Sequence, residues 1–192
     1  MTDAAAPRPS HRLYAVTIGL ALLVILLDQA SKFWAEATLT VGESTPIIGD
    51  LLRFQLIYNP GAAFSIGVGF TWIFTIIAAV AVVALAIFAW RVTSPAWAIL
   101  LGLLLGGATT HLGDRLFREP SFGQGHVVDF IGYGNLFIGN VADIVIVGCG
   151  VFGVILVARG SRATPEPADP AELAEPAEVA PSAEEPPATP PR

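Results

Sequence analysis

The chain has 192 residues, 54% hydrophobic and 14% charged, with a mean hydropathy of +0.65. That composition excludes an ordinary soluble domain and fits an integral membrane protein. The net charge of −6 says little about a working surface, because Glu166, Asp169, Glu172, Glu175, Glu178, Glu184 and Glu185 all follow Thr164, and the single cysteine, Cys149, excludes an internal disulfide framework.

Residues 1–12 read as a short polar lead-in on the cytoplasmic side. A membrane-spanning helix needs roughly 20 apolar residues, and the first candidate runs from about Leu13 to Leu27, continuing into Asp28-Gln29-Ala30-Ser31-Lys32. No small-x-small cleavage site follows it, so it does not read as a secretory signal peptide. Asp28 and Lys32 are four apart and share a helical face. A long connection from Trp34 to about Ser65 follows. Within it Pro46 to Asp50 reads as a turn. Leu51 to Tyr58 alternates Arg53 and Gln55 with Phe54 and Leu56, as a short strand does, and runs into the turn Asn59-Pro60-Gly61. The second span lies within Ile66 to Trp90, which holds no charge, and the third runs from about Pro95 to Leu112, where Gly106-Gly107 permits close helix approach. Asp129 falls in the short connection before the fourth span, which runs from about Phe137 to Ala158 with Asp143 near its start. Residues 161–192 are mostly Pro, Ala and Glu, cannot bury enough apolar surface to fold, and read as a disordered cytoplasmic tail. The predicted architecture is mainly α: an integral-membrane four-helix bundle over residues 13–160 with a small extracytoplasmic β platform.

Arg8, Arg12, Arg91, Arg159 and Arg162 mark the cytoplasmic side under the positive-inside rule, which places both termini there. Asp28, Asp114, Asp129 and Asp143 then converge near the outer face. Arg12 to Asp28 and Asp143 to Arg159 are equal steps of about 24 Å at helical rise. An ionisable group at membrane depth is costly and usually serves a polar cavity. Two carboxylates brought together, one ionised and one protonated, form a water-activating device. No nucleophilic triad is better placed, and the three histidines show no HExxH-like ligand spacing, so neither metal nor cofactor is expected. A proton-coupled transporter would carry its acids near the midplane or along a path. A mere anchor for the tail would leave the polar clusters without a purpose.

Five clusters carry those polar residues: Asp28 to Lys32, Asn59 to Ser65, Gly106 through His111 to Asp114-Arg115, Val127-Val128-Asp129-Phe130, and Asn140-Val141-Ala142-Asp143. Their order and spacing, from about Leu20 to about Ile155, resemble the lipoprotein signal peptidase family, also called signal peptidase II. The resemblance implies a membrane aspartic endopeptidase that removes signal peptides from prolipoproteins just before a diacylglyceryl-modified cysteine. It implies a catalytic pair at Asp129 and Asp143, supporting or substrate-binding residues at Asp28, Lys32, Asn59, Asp114, Arg115 and Asn140, and catalysis without metal or cofactor. The implied partners are prolipoproteins and membrane lipid, not nucleic acid. The implied setting is a bacterial plasma membrane, crossed several times by a monomer whose active site lies near the outer face.

The chain departs from the family pattern at three places. His111 stands where the family usually has asparagine, Gly139 where it often has phenylalanine, and Ile144 where serine commonly follows the second aspartate. His111 is expected to give a supporting hydrogen bond near the site, with different donors and acceptors from an amide. Asp114 with Arg115, and Asp28 with Lys32, read equally as structural ion pairs. Deleting Thr164 to Arg192 is expected to leave cleavage of a lipidated substrate nearly unchanged in a membrane-based assay. A several-fold loss would show that the tail contributes.

Overall fold

A computed structural model describes residues 10–61 and 69–164. Four helices, α1 (His11–Thr38), α2 (Thr71–Trp90), α3 (Pro95–Phe117) and α4 (Val141–Ala158), are long and apolar enough to cross a membrane. Four strands fill the connections: β1 (Thr45–Ile48) and β2 (Leu52–Asn59) between α1 and α2, and β3 (Val127–Tyr133) and β4 (Phe137–Gly139) between α3 and α4. Both insertions follow an odd-numbered helix, so both emerge at the same end of the bundle. There they make one antiparallel sheet in the order β1-β2-β3-β4.

Helix α3 is the hub, because α1, α2 and α4 all pack on it. Glycine makes this possible by close approach. A Cβ at Gly102 would lie 2.7 Å from the Thr17 carbonyl oxygen, and one at Gly106 would lie 2.7 Å from Val24 Cβ. A Cβ at Gly107 would lie 2.8 Å from Ile146 Cγ1 on α4. The anticipated role of Gly106-Gly107 in helix approach thus holds, and Thr17 Oγ1 donates to the Ala98 carbonyl across the same α1–α3 seam at 3.0 Å. Leu22, Leu26, Ile76, Val80, Val147 and Val154 stay exposed on the outside, as a lipid-facing surface requires.

The third span runs on past Leu112 to Phe117, and three other expected boundaries move for packing reasons. Helix α1 spans 28 residues, or about 42 Å at helical rise, well beyond an apolar core of about 30 Å. Its excess runs up beside the sheet, where fully buried Ala35 joins Leu56, Val128 and Phe130 in one cluster. Asp28 is therefore an interior helical residue and not a terminal one. The stretch expected as a turn from Pro46 is largely strand, since Thr45–Ile48 pairs with β2 and only Gly49, Asp50 and Leu51 turn. The fourth span begins at Val141 and not at Phe137, because Phe137–Gly139 pairs with β3. The Ala62 to Ser65 part of one motif, residues 1–9 of the lead-in and residues 165–192 of the tail lie outside the described residues.

Candidate active site

The Val127-Val128-Asp129-Phe130 run is buried on both faces. Val128 and Phe130 point into the cluster beneath the sheet, so the alternation of a strand sends Val127 and Asp129 the other way. β2 carries an irregularity between Phe54 and Ile57, after which Ile57 pairs with Asp129 and Asn59 with Val127. That register sets Asn59 diagonally beside Asp129, and Asn59 Nδ2 donates to Asp129 Oδ2 at 2.9 Å.

Asn140 joins the two aspartates. It is the N-cap of α4, and its Oδ1 accepts from the Asp143 backbone N–H at 3.1 Å. The Asp143 side chain returns the contact, Oδ2 accepting from the Asn140 backbone N–H at 2.9 Å. This is a capping box, so the helix-end role foreseen for Asp143 coexists with its place in the site. The remaining Asn140 amide donates to Asp129 Oδ1 at 2.7 Å and to the Val128 carbonyl at 3.4 Å. One fully buried asparagine thus holds Asp129 by its side chain and Asp143 by its backbone.

Asp129 and Asp143 line one cavity of about 420 Å³, with Asn59, His111 and Arg115 as its other polar walls. Phe74, Ile77 and Ala78 of α2, Val147 of α4 and Ile138 of β4 line its apolar side. Burial pushes the Asp129 carboxyl up to about 6 and the nearby Asp143 charge adds to the rise, against hydrogen bonds from Asn59 and Asn140 that favour the charged form. His111 touches the pair directly, with Nε2 at 3.2 Å from Asp143 Oδ1. The supporting contact expected of it therefore falls on Asp143 itself. Although three residues from Asp114, it does not share that residue's partners.

The other expected residues divide into two groups. Arg115 does not pair with Asp114. Its guanidinium donates to the carbonyls of Pro60 at 3.1 Å, Gly125 at 3.3 Å and Asn59 at 3.4 Å, and also to Gly61. It clamps the turn that presents Asn59 and sits over the Phe74 ring at 5.7 Å. The ion-pair reading of Asp114-Arg115 is thereby corrected: Asp114 instead accepts from Lys32 at 2.7 Å, Gln29 at 2.8 Å and Arg118 at 2.8 Å. Lys32 also pairs with Asp28 at 2.5 Å. Asp28 takes the Thr110 hydroxyl at 2.7 Å and, through Oδ1, the Ala142 backbone N–H at 2.9 Å. Arg118 continues the chain to Glu36 at 2.7 Å.

Lys32, Asp28 and Asp114 therefore brace the N-terminus of α4 from behind and do not line the cavity. Gln29, Thr110 and Arg118 are members of this network that the sequence reading did not single out. Arg118 stands four residues after Asp114, the spacing of a helical ion pair, and Gln29 and Thr110 lay inside runs already noted. Tyr133 was missed too. Its hydroxyl is buried without a hydrogen-bond partner among the described residues, and burial, followed by the Asp143 charge, disfavours its ionisation and pushes its pKa above the usual tyrosine value.

The family model described as signal peptidase (SPase) II matches residues 20–159. A lipoprotein signal peptidase of Mycolicibacterium smegmatis is 39% identical over 176 residues, covering 88% of this chain and 75% of the relative. Another, from Streptomyces coelicolor, is 49% identical over 149 residues, covering 78% and 73%. Among solved structures, a bacterial membrane enzyme determined by the in meso method at 2.3 Å superposes with a TM-score of 0.67 at 27% identity, covering 81% of this chain and 94% of that one.

Proposed function

The chain belongs to the signal peptidase II family, a family of proteases, and we propose that it cuts diacylglyceryl-modified prolipoproteins just before the lipidated cysteine by a two-aspartate mechanism. The observation that carries this reading is the single cavity into which Asp129 and Asp143 both open, joined through Asn140. Asp129 is the buried member whose proton is retained to about pH 6. Asp143 receives the Asn140 N–H, faces His111 and sits in the first turn of α4, a position that suits a negative charge.

In this reading Asp143 takes a proton from a water as its oxygen attacks the scissile carbonyl carbon. Asp129 gives its proton to the carbonyl oxygen. The tetrahedral intermediate collapses as the peptide nitrogen takes the proton from Asp143 and leaves as an amine, and the hydroxyl proton returns to Asp129. The apolar wall from α2 and α4 would take the lipid and the apolar part of the signal peptide, with the cavity near the outer face of the plasma membrane. The enzyme would act as a monomer.

The test is cleavage of a diacylglyceryl-modified prolipopeptide by purified protein in detergent, with EDTA present, across pH. Cleavage should proceed without added metal. The alkaline limb of kcat/KM should begin no lower than about pH 6, where Asp129 gives up its proton in the free protein. The limb of kcat should lie higher, because bound substrate excludes water and further disfavours the charged form. Loss of all activity in EDTA, restored by a divalent metal, would contradict the mechanism.

A further inference from the structure

We propose that the groove between α3 and α4, at the end of the bundle away from the sheet, is a binding site for one anionic phospholipid of the bilayer. An acyl chain lies in the groove, and the phosphate headgroup meets Arg159 and Arg162. The proposal does not depend on the catalytic reading.

The groove is open to the side and holds about 680 Å³. Trp97, Leu100 and Leu104 of α3 line it together with Gly150, Gly153 and Val157 of α4. Its lining runs along α4 from Ile146 to Ala158, or about 18 Å at helical rise. One leaflet supplies half of a hydrocarbon core of about 30 Å. The groove therefore has the length of a single acyl chain in one leaflet.

Helix contact does not account for the glycines on its floor. A Cβ at Gly102, Gly106 or Gly107 would come within 2.8 Å of a neighbouring helix. A Cβ at Gly150 would meet nothing within 4 Å, and one at Gly153 would meet only Leu100, at 3.6 Å. Glycine is a poor helix former, and no described residue uses the space these two leave.

The mouth of the groove selects the occupant. Helix α4 ends at Arg159, and the chain turns at Gly160, whose φ is 69°. Trp97 Nε1 then donates to Ser161 Oγ at 3.2 Å, and the Thr93 N–H donates to the Ala163 carbonyl at 3.0 Å. The segment is thus pinned beside the end of the groove, with Arg159 and Arg162 exposed on either side of Ser161. Among the described residues no carboxylate lies at this end of the bundle. Arginines at headgroup level, beside a tryptophan at the interface, suit an anionic headgroup. A second copy packed side by side on the same face would instead set arginine against arginine.

The experiment equilibrates the full chain in detergent with equal amounts of palmitoyl-oleoyl phosphatidylglycerol and phosphatidylcholine. Native mass spectrometry identifies the first lipid bound, and thermal melts are run with each lipid alone. An arginine close to an anionic lipid surface contributes about 5-fold in affinity, so wild type should prefer phosphatidylglycerol by about 10-fold or more and gain Tm with it. Arg159→Gln/Arg162→Gln should bring the preference within about 2-fold. Gly150→Leu/Gly153→Leu fills the groove and should lose both the bound lipid and the gain in Tm. Its Tm without lipid should be no lower than wild type, because leucine is the better helix former. If that double variant does not fold, Gly150→Leu alone takes its place, since open space surrounds a Cβ there.

Equal binding of the two lipids by wild type, a preference that survives the arginine variant, or lipid binding unchanged by the glycine variant would overturn the proposal. So would a wild-type dimer that the glycine variant dissociates, because the groove would then hold a second copy.

Discussion

Asp129→Asn and Asp143→Asn should each lower kcat by about 1000-fold or more while leaving an inserted, folded protein, since each amide keeps the shape and removes the transferable proton. Asn140 and Asn59 donate to Asp129, and an amide oxygen still accepts one of those bonds. The cavity's polar frame should therefore survive the change. Stability supplies a second readout with a definite sign. The folded-state value for Asp129 is raised from 3.8 to about 6, so the native state binds this proton more tightly than the unfolded chain does. The contribution is fully present below about 3.8 and is lost as pH rises through about 6. Asparagine cannot ionise, so Asp129→Asn should flatten the fall in Tm across that window and melt no lower than wild type at neutral pH. A variant with substantial residual turnover, or one whose Tm still falls through the same window, would remove Asp129 from the pair.

Much of this site was legible because it is made of polar residues where an apolar chain has least reason to place them. Asp129 stands between Val127-Val128 and Phe130, and Asp143 opens a helix otherwise nearly free of charge. Asn140 was visible three residues before it, at capping-box spacing. Pairings set by helix contact, and not by spacing along the chain, were not legible. Lys32 and Asp114 are 82 residues apart and meet only because glycine lets α1 and α3 close together. The same closeness turned Asp114 toward Lys32 and Arg118, while Arg115, one residue on, reaches the loop carbonyls. β1 was taken for a turn because its four residues are all exposed and carry no alternation of burial. The departures at His111 and Gly139 looked unrelated in the sequence, yet they flank one carboxylate in the structure.

The second large effect is expected at Lys32, which never reaches the cavity. Its ammonium lies between Asp28 at 2.5 Å and Asp114 at 2.7 Å, with both carboxylates almost wholly buried. Replacing it with methionine keeps most of the volume and removes the charge that two acids share. Asp114 retains Arg118 and Gln29. Asp28 is left with only the Thr110 hydroxyl and the Ala142 N–H, too little to compensate a buried negative charge. Breaking a buried ion pair from one side typically costs about 3–5 kcal/mol, so Lys32→Met should melt well below wild type in detergent. Activity should fall at temperatures where the variant is still folded, because Asp28 holds the N–H of Ala142, the residue before Asp143. An uncompensated charge can be relieved by removing it. The double variant Lys32→Met/Asp28→Asn should therefore regain part of the lost Tm, since an amide at 28 can still accept the Ala142 N–H. Thermal melts and initial rates of the two variants decide the matter. A Lys32→Met protein with wild-type Tm, or a double variant less stable than the single one, would mean that Lys32 is not what neutralises Asp28.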